Sequence, residues 1–229
     1  MTDALRTSLS EQLTRMRGGG GFPTPLLDVT LEEIRFADER VGIIRPSDWE
    51  ELRHQEGADG RTAPYWAIAW PSGVELAMRL AAMDLAGRRV LELGCGLAIP
   101  SIAAARRGAI VTATDAVSDA VVFAAHNFAL NEVEGQVELV DWRDAQELVD
   151  AAPWDLVVAS DVLYLRGNVE ALLRLLPRLI GREGEAIVAD PNRAGGQEFA
   201  AAARRIFSLD IDRGEKVTIH RLRPRPRHG

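Results

Sequence analysis

Between residues 64 and 222 the chain alternates short apolar runs with longer stretches of helical spacing. Residues 89–93, 110–114, 137–140, 156–159 and 186–189 are brief and rich in valine, leucine and isoleucine, which predicts buried strands. Between them, residues 74–83, 100–107, 118–131, 169–179 and 199–206 repeat apolar side chains three and four positions apart, which predicts helices. Pro100 suits a first helical turn and Gly108 a stop. Residues 209–211 and 216–222 form two more apolar runs around Asp212, Arg213 and Gly214, a hairpin signal. Strands that alternate with helices predict an α/β fold with a parallel sheet covered on both faces. The closing hairpin adds an antiparallel strand at the edge.

The flanks read differently. Residues 1–63 form a polar N-terminal extension. Within it residues 4–17 have a short amphipathic helical pattern, stopped by the glycines at 18–21. Residues 27–44 alternate in places and predict a small hairpin. The arginine- and proline-rich end, residues 223–229, reads as a disordered, solvated tail. Residues 64–222 form the main domain.

Composition narrows the possibilities. A chain of 229 residues, 47% apolar, is long enough to bury a full core without disulfides or metals. Its single cysteine, Cys95, excludes an intrachain disulfide and any multi-cysteine metal site, so no metal is expected. That fits a reducing compartment. No apolar run is long enough to span a bilayer, and the N-terminus lacks the pattern of a secretory signal, so a cytoplasmic protein without a membrane partner is expected. The net charge of −7 argues against nucleic acid as a partner. Lys216 is the only lysine among 27 basic residues, a bias that suggests a GC-rich bacterial source.

The segment Glu92-Leu93-Gly94-Cys95-Gly96-Leu97-Ala98 carries the most chemistry. A strand runs into a glycine turn and then into a helix, where the backbone must bend sharply and approach a ligand. Asp115 ends the next strand, where an acid in nucleotide-binding α/β folds accepts hydrogen bonds from ribose hydroxyls; helix capping is its alternative role. A carboxylate at Glu92 would oppose a dinucleotide's pyrophosphate but suit the cationic amino end of an amino-acid-like ligand. Ile99 also stands where a dinucleotide loop needs its third glycine. Both arguments favour a sulfonium cofactor.

With Ile99-Pro100-Ser101 following it, this segment resembles the first motif of the seven-β-strand methyltransferases that use S-adenosyl-L-methionine. Ala98 departs from the third glycine common in that family. The resemblance spans residues 64–222. It implies a Rossmann-like, doubly wound, mostly parallel seven-stranded sheet whose last strand is antiparallel, with Glu92, Gly94, Cys95, Gly96 and Asp115 at the cofactor.

Three further stretches resemble family 16 of that group, rich in protein-lysine methyltransferases, including those that act on the electron-transfer flavoprotein β subunit. In Pro64-Tyr65-Trp66-Ala67-Ile68-Ala69-Trp70-Pro71 the resemblance places Trp70 in the cofactor pocket and leaves Tyr65 and Trp66 to packing or substrate contact. Asp141-Trp142 would flank adenine. Ser160-Asp161-Val162-Leu163-Tyr164 resembles the family's Asp-x-x-Tyr motif. It puts Ser160 at the cofactor, Asp161 near the methyl group and Tyr164 on the substrate side, the last two as catalytic residues. Asp190-Pro191-Asn192-Arg193 resembles an Asp-Pro-Gly-Arg stretch of the flavoprotein-directed members, with Asn for Gly. Asn127 and Asn131, four apart, read as helix braces, and His126 as a packing residue. The resemblance thus implies methyl transfer to a lysine amine of a protein partner. A small-molecule N- or O-methyltransferase and a non-catalytic binding protein stay open.

Overall fold

The computed structural model describes residues 3–16, 28–36, 39–58 and 63–225. Helix α1 (Asp3–Met16) is followed by a hairpin of β1 (Val29–Phe36) and β2 (Glu39–Pro46), paired antiparallel from Val29↔Pro46 to Phe36↔Glu39. Helix α2 (Trp49–Ala58) comes next. Its pattern is weakly amphipathic and was not anticipated, but Asp48 caps it by accepting from Glu51 N at 2.9 Å.

Alternation then sets in. Helix α3 (Pro71–Ala81) leads to β3 (Arg89–Leu93), α4 (Ile99–Arg106), β4 (Ile110–Asp115), α5 (Ser118–Leu130), β5 (Gln136–Leu139) and a short α6 (Gln146–Asp150). After these come β6 (Trp154–Ser160), α7 (Arg166–Leu179), β7 (Ile180–Asp190), α8 (Ala194–Ala203), β8 (Phe207–Arg213) and β9 (Thr218–Pro224). The main sheet has seven strands in the order β5-β4-β3-β6-β7-β9-β8. Strands β3 to β7 pair in parallel, and β9 runs antiparallel to both its neighbours.

This corrects the reading of the last strand as an edge. β9 inserts between β7 and β8, so its backbone is paired on both sides and β8 forms the edge. The insertion also orders part of the expected tail. Arg223 Nη1 lies 2.8 Å from Asp210 Oδ2, and Arg225 Nε donates to Phe207 O at 3.2 Å. Residues 226–229 lie outside the described residues.

Side chains alternate across the sheet as the strand period of two requires. Val90, Leu156, Val158, Ile187 and Ala189 join a core on one face with Leu76, Leu80, Ile102 and Phe123. Leu91, Leu93, Val157, Ala159 and Val188 join the other, with Leu172, Leu176 and Phe199. Leu9 and Leu13 of α1 and Ile43 of β2 are fully buried in the first core, so α1 and the hairpin share the core that α5 covers.

Candidate active site

Chain order runs outward from β3 through β4 to β5, and from β6 to β7 in the opposite direction. The sheet therefore reverses between β3 and β6, and ligands of such folds bind outside the carboxyl ends of the strands at that point. The glycine loop leaves β3 there, Asp115 ends β4, and Ser160 and Asp161 end β6.

The loop is built from left-handed residues. Gly94, Gly96 and Ala98 have φ of 70°, 50° and 61°. Ala98 thus holds the third position with the conformation a glycine adopts most readily, at a cost of about 1–2 kcal/mol for an L-residue. A Cβ on Gly94 would come within 3.0 Å of Trp142 and Val162; one on Gly96 would come within 3.0 Å of the Trp66 carbonyl oxygen. The second glycine is required by the turn Tyr65–Ala67 packed against it, as well as by φ.

The acids around the loop hold it in shape. Asp115 Oδ2 accepts from Gly96 N and Oδ1 from Val117 N, both at 2.9 Å. Burial pushes its pKa up, and these amides offset part of that. Glu92, fully buried, accepts from Ser101 N at 3.0 Å and from the Ser101 hydroxyl. It therefore caps α4 from beneath, a role that Ala98 cannot fill. Its other oxygen, Oε1, is buried without a hydrogen-bond partner among the described residues. Burial raises the Glu92 pKa to about 8, against the Ser101 hydrogen bonds and with help from the Asp115 charge. Burial likewise pushes the Cys95 thiol up, so it stays protonated; its backbone N donates to Thr114 O at 2.9 Å. Trp142 lies over Gly94. Asp141 turns to its own neighbour: its carboxylate accepts from Arg143 N and Nε at 2.9 Å, and those bonds hold its pKa down. Its side chain is thus bound within its own turn.

A second group gathers beyond β6. Asp161 is buried, has φ of 59°, and donates its backbone N to Ala189 O at 3.0 Å. Arg193 Nη1 stands 3.0 Å from Asp161 Oδ1. Burial raises the Asp161 pKa, while Ser72 and Arg193 lower it. Asp190, also buried, accepts from Arg193 N at 2.7 Å through Oδ2, and its Oδ1 has no hydrogen-bond partner among the described residues. Asp161 thus faces the Arg193 guanidinium, while Asp190 holds the Arg193 main chain. Ser160 faces the first turn of α3, where a Cβ on Gly73 would lie 3.4 Å from its Oγ.

Aromatic rings line the mouth of this group. The Arg193 guanidinium lies 5.9 Å from the Trp70 ring centroid, and Trp70 Nε1 donates to Tyr65 O at 2.8 Å. Tyr65 contacts Trp70 at 6.2 Å and Tyr164 at 5.6 Å between ring centroids. Tyr65 is 41% exposed and Tyr164 44%. The Tyr164 pKa is raised by burial, then by the Asp115 charge. The structure therefore groups Trp70 with Tyr65, Tyr164 and Arg193. Trp66 instead turns its ring inward onto Phe123 at 5.1 Å. Arg193 was not singled out as a site residue from the sequence, although the Asp190–Arg193 stretch was the available signal. His126 bonds its own helix, Nδ1 to Val122 O at 2.9 Å.

The left-handed loop and the strand-end acid Asp115 fit a nucleoside ligand, and the unpartnered Glu92 oxygen lies buried beside the loop. This fold and this site define the class of methyltransferases that use S-adenosylmethionine. A family profile described as lysine methyltransferase matches residues 54–203, and the chain belongs to that family. Protein N-lysine methyltransferase METTL21A of Danio rerio is 34% identical over 163 residues, 68% of this chain and 67% of that protein. The electron transfer flavoprotein beta subunit lysine methyltransferase of Xenopus laevis is 34% identical over 138 residues, 57% of this chain and 54% of its own length. The chain therefore spans about two thirds of the first relative and little more than half of the second. Among solved structures, the ribosomal protein L11 methylase of Lactobacillus delbrueckii subsp. bulgaricus superposes with a TM-score of 0.57 at 23% identity, covering 69% of this chain and 81% of that one. That likeness is one of fold.

Proposed function

We propose that the protein transfers a methyl group from S-adenosylmethionine to the side-chain amine of a lysine in a protein substrate. The observation that carries this reading is the pairing of buried Asp161 with Arg193, whose guanidinium lies against Trp70 in a row of rings that continues to exposed Tyr65 and Tyr164, one strand away from the glycine loop. A carboxyl, aromatic faces and a balancing guanidinium are the groups that a long cationic side chain needs when it must arrive neutral.

When bound, S-adenosylmethionine supplies a methyl group already activated by the sulfonium charge, so alignment accounts for most of the catalysis. Asp115 would meet ribose hydroxyls with the lone pairs that Gly96 N and Val117 N leave free, and Glu92, protonated at neutral pH with its pKa of about 8, would ionise on meeting the cofactor's ammonium. Ser160 sits at the strand end between the two halves of the site. A lysine ammonium, with a reference pKa of about 10.4, cannot attack. Asp161 alone would hold the proton on it. Arg193 cancels that charge, so the amine can release its proton to water while Asp161 and Tyr164 aim its lone pair at the methyl group. A cytoplasmic location, with which the single cysteine is in keeping, belongs to the same proposal.

The test is incubation with methyl-labelled S-adenosylmethionine and a cell lysate, followed by hydrolysis and amino-acid analysis. Label recovered as methyl-lysine supports the reading. Label in a small-molecule extract or in nucleic acid, with none in protein, overturns it.

A further inference from the structure

Strand β2 pairs with β1 along one edge, and the side chains of Asn127 in α5 and Asn131 at its C-cap meet the other. Asn127 Oδ1 accepts from Ile44 N at 2.7 Å, and Asn127 Nδ2 donates to Ile44 O at 3.2 Å. One helical turn on, Asn131 Oδ1 accepts from Gly42 N at 3.1 Å and its Nδ2 donates to Gly42 O at 2.7 Å. Each amide copies the donor and acceptor of a neighbouring strand residue. Four helical residues advance about 6 Å and two strand residues about 6.8 Å, so the spacings match and the helix presents the edge with a two-rung ladder.

The two rungs differ in what else they hold. Asn131 spends its remaining capacity on Asn127 O at 2.7 Å and on the Arg106 guanidinium at 3.0 Å. Asn127 is fully buried, and its Nδ2 also donates to Leu97 O at 3.1 Å. Leu97 lies between the left-handed residues Gly96 and Ala98, where the direction of its carbonyl is set by the torsions that form the loop. The same stretch directs Gly96 N to Asp115. The hairpin, residues 29–46, precedes the stretch 54–203 matched by the family.

We propose that Asn127 is a positioning residue for the cofactor loop, tying the N-terminal hairpin to the Leu97 carbonyl through one buried amide. The hairpin then belongs to the cofactor site although none of its residues need touch the cofactor. Binding should tighten the hairpin, and loosening the amide should weaken binding; the two effects are reciprocal by linkage. This rests on the cofactor reading given above.

Asn131 provides the control, because it makes the same strand-like pair without touching the loop. Asn127→Ala and Asn131→Ala should both lower the melting temperature. In calorimetry with S-adenosylmethionine, well below either melting point, Asn127→Ala should bind at least tenfold more weakly, whereas Asn131→Ala should stay within threefold of wild type. Equal affinities for the two variants would overturn the proposal. Hydrogen exchange on the wild-type protein keeps the test open should Asn127→Ala fail to fold. S-adenosylmethionine should slow exchange at the Ile44 amide as well as at Gly96; protection confined to Gly96 overturns the coupling. Absence of S-adenosylmethionine binding to wild type would remove the cofactor reading itself, and this proposal with it.

Discussion

Arg193 Nη1 lies 3.0 Å from the buried Asp161 Oδ1, so the two charges offset one another at the end of β6. If Arg193 serves to cancel Asp161, replacing it should act on proton affinity before it acts on structure. Arg193→Gln should shift the rise of the rate with pH toward the alkaline side, leaving transfer at least tenfold slower at pH 7 and recovering as pH increases. Arg193→Lys should keep most of the neutral-pH rate. The measurement is label incorporated into protein lysine from pH 6.5 to 9.5. A uniform loss at every pH would show a structural role instead.

Tyr164→Phe isolates the hydroxyl. The ring contact with Tyr65, at 5.6 Å, should survive the change because both side chains carry the same ring. If the hydroxyl helps to aim the amine, transfer should fall at least tenfold, or about 1.4 kcal/mol of barrier. S-adenosylmethionine affinity by calorimetry should not move. Full activity in this variant would leave Tyr164 as an apolar wall.

Gly96→Val tests the geometry of the loop. A blocked cofactor with an intact fold would follow if the glycine faced only ligand. The structure changes that expectation, because a Cβ here meets the Trp66 carbonyl oxygen at 3.0 Å and φ is 50°. Left-handed strain alone costs about 1–2 kcal/mol. The variant should therefore lose melting temperature by several degrees as well as lose cofactor binding, and calorimetry together with thermal unfolding reads both.

The parts of this molecule visible in its sequence are those with short-range signatures. The glycine turn, the strand-end Asp115 and the alternation of strand and helix depend on local spacing, and the structure has them at those positions. What stayed hidden depends on distant partners. The position of β9 between β7 and β8 follows from pairing on both edges, and no local pattern distinguishes it from an edge strand. Arg193 joins Asp161 across 32 residues of chain, and Asn127 joins Ile44 across 83. Helical spacing marked Asn127 and Asn131 as braces but could not name the strand they brace.

His220 offers a last prediction, on stability. It lies on β9 opposite Val188 of β7 and Ile211 of β8, 3% exposed, with Phe199 edge-on at 5.7 Å. Neither ring nitrogen has a hydrogen-bond partner among the described residues, and burial, then the charge of Arg213, lowers its pKa from 6.5 to about 4. Between those values the unfolded chain takes up a proton that the folded one refuses. The His220 contribution to stability is therefore full above about pH 6.5 and declines as pH falls to about 4, by at most about 3 kcal/mol. Glu92 acts in the opposite sense. Its folded-state pKa of about 8 lies above the ordinary 4.5, so its contribution is fully present below pH 4.5 and is lost as pH rises through 8. The two partly cancel in wild type, so the difference between proteins is the clean reading. His220→Leu removes the titration and also the edge contact with Phe199, but the lost contact shifts stability equally at every pH. Urea unfolding from pH 4 to 7.5 should show the variant gaining on wild type as pH falls below 6.5. Parallel curves would mean that His220 finds a partner for its proton in the folded protein.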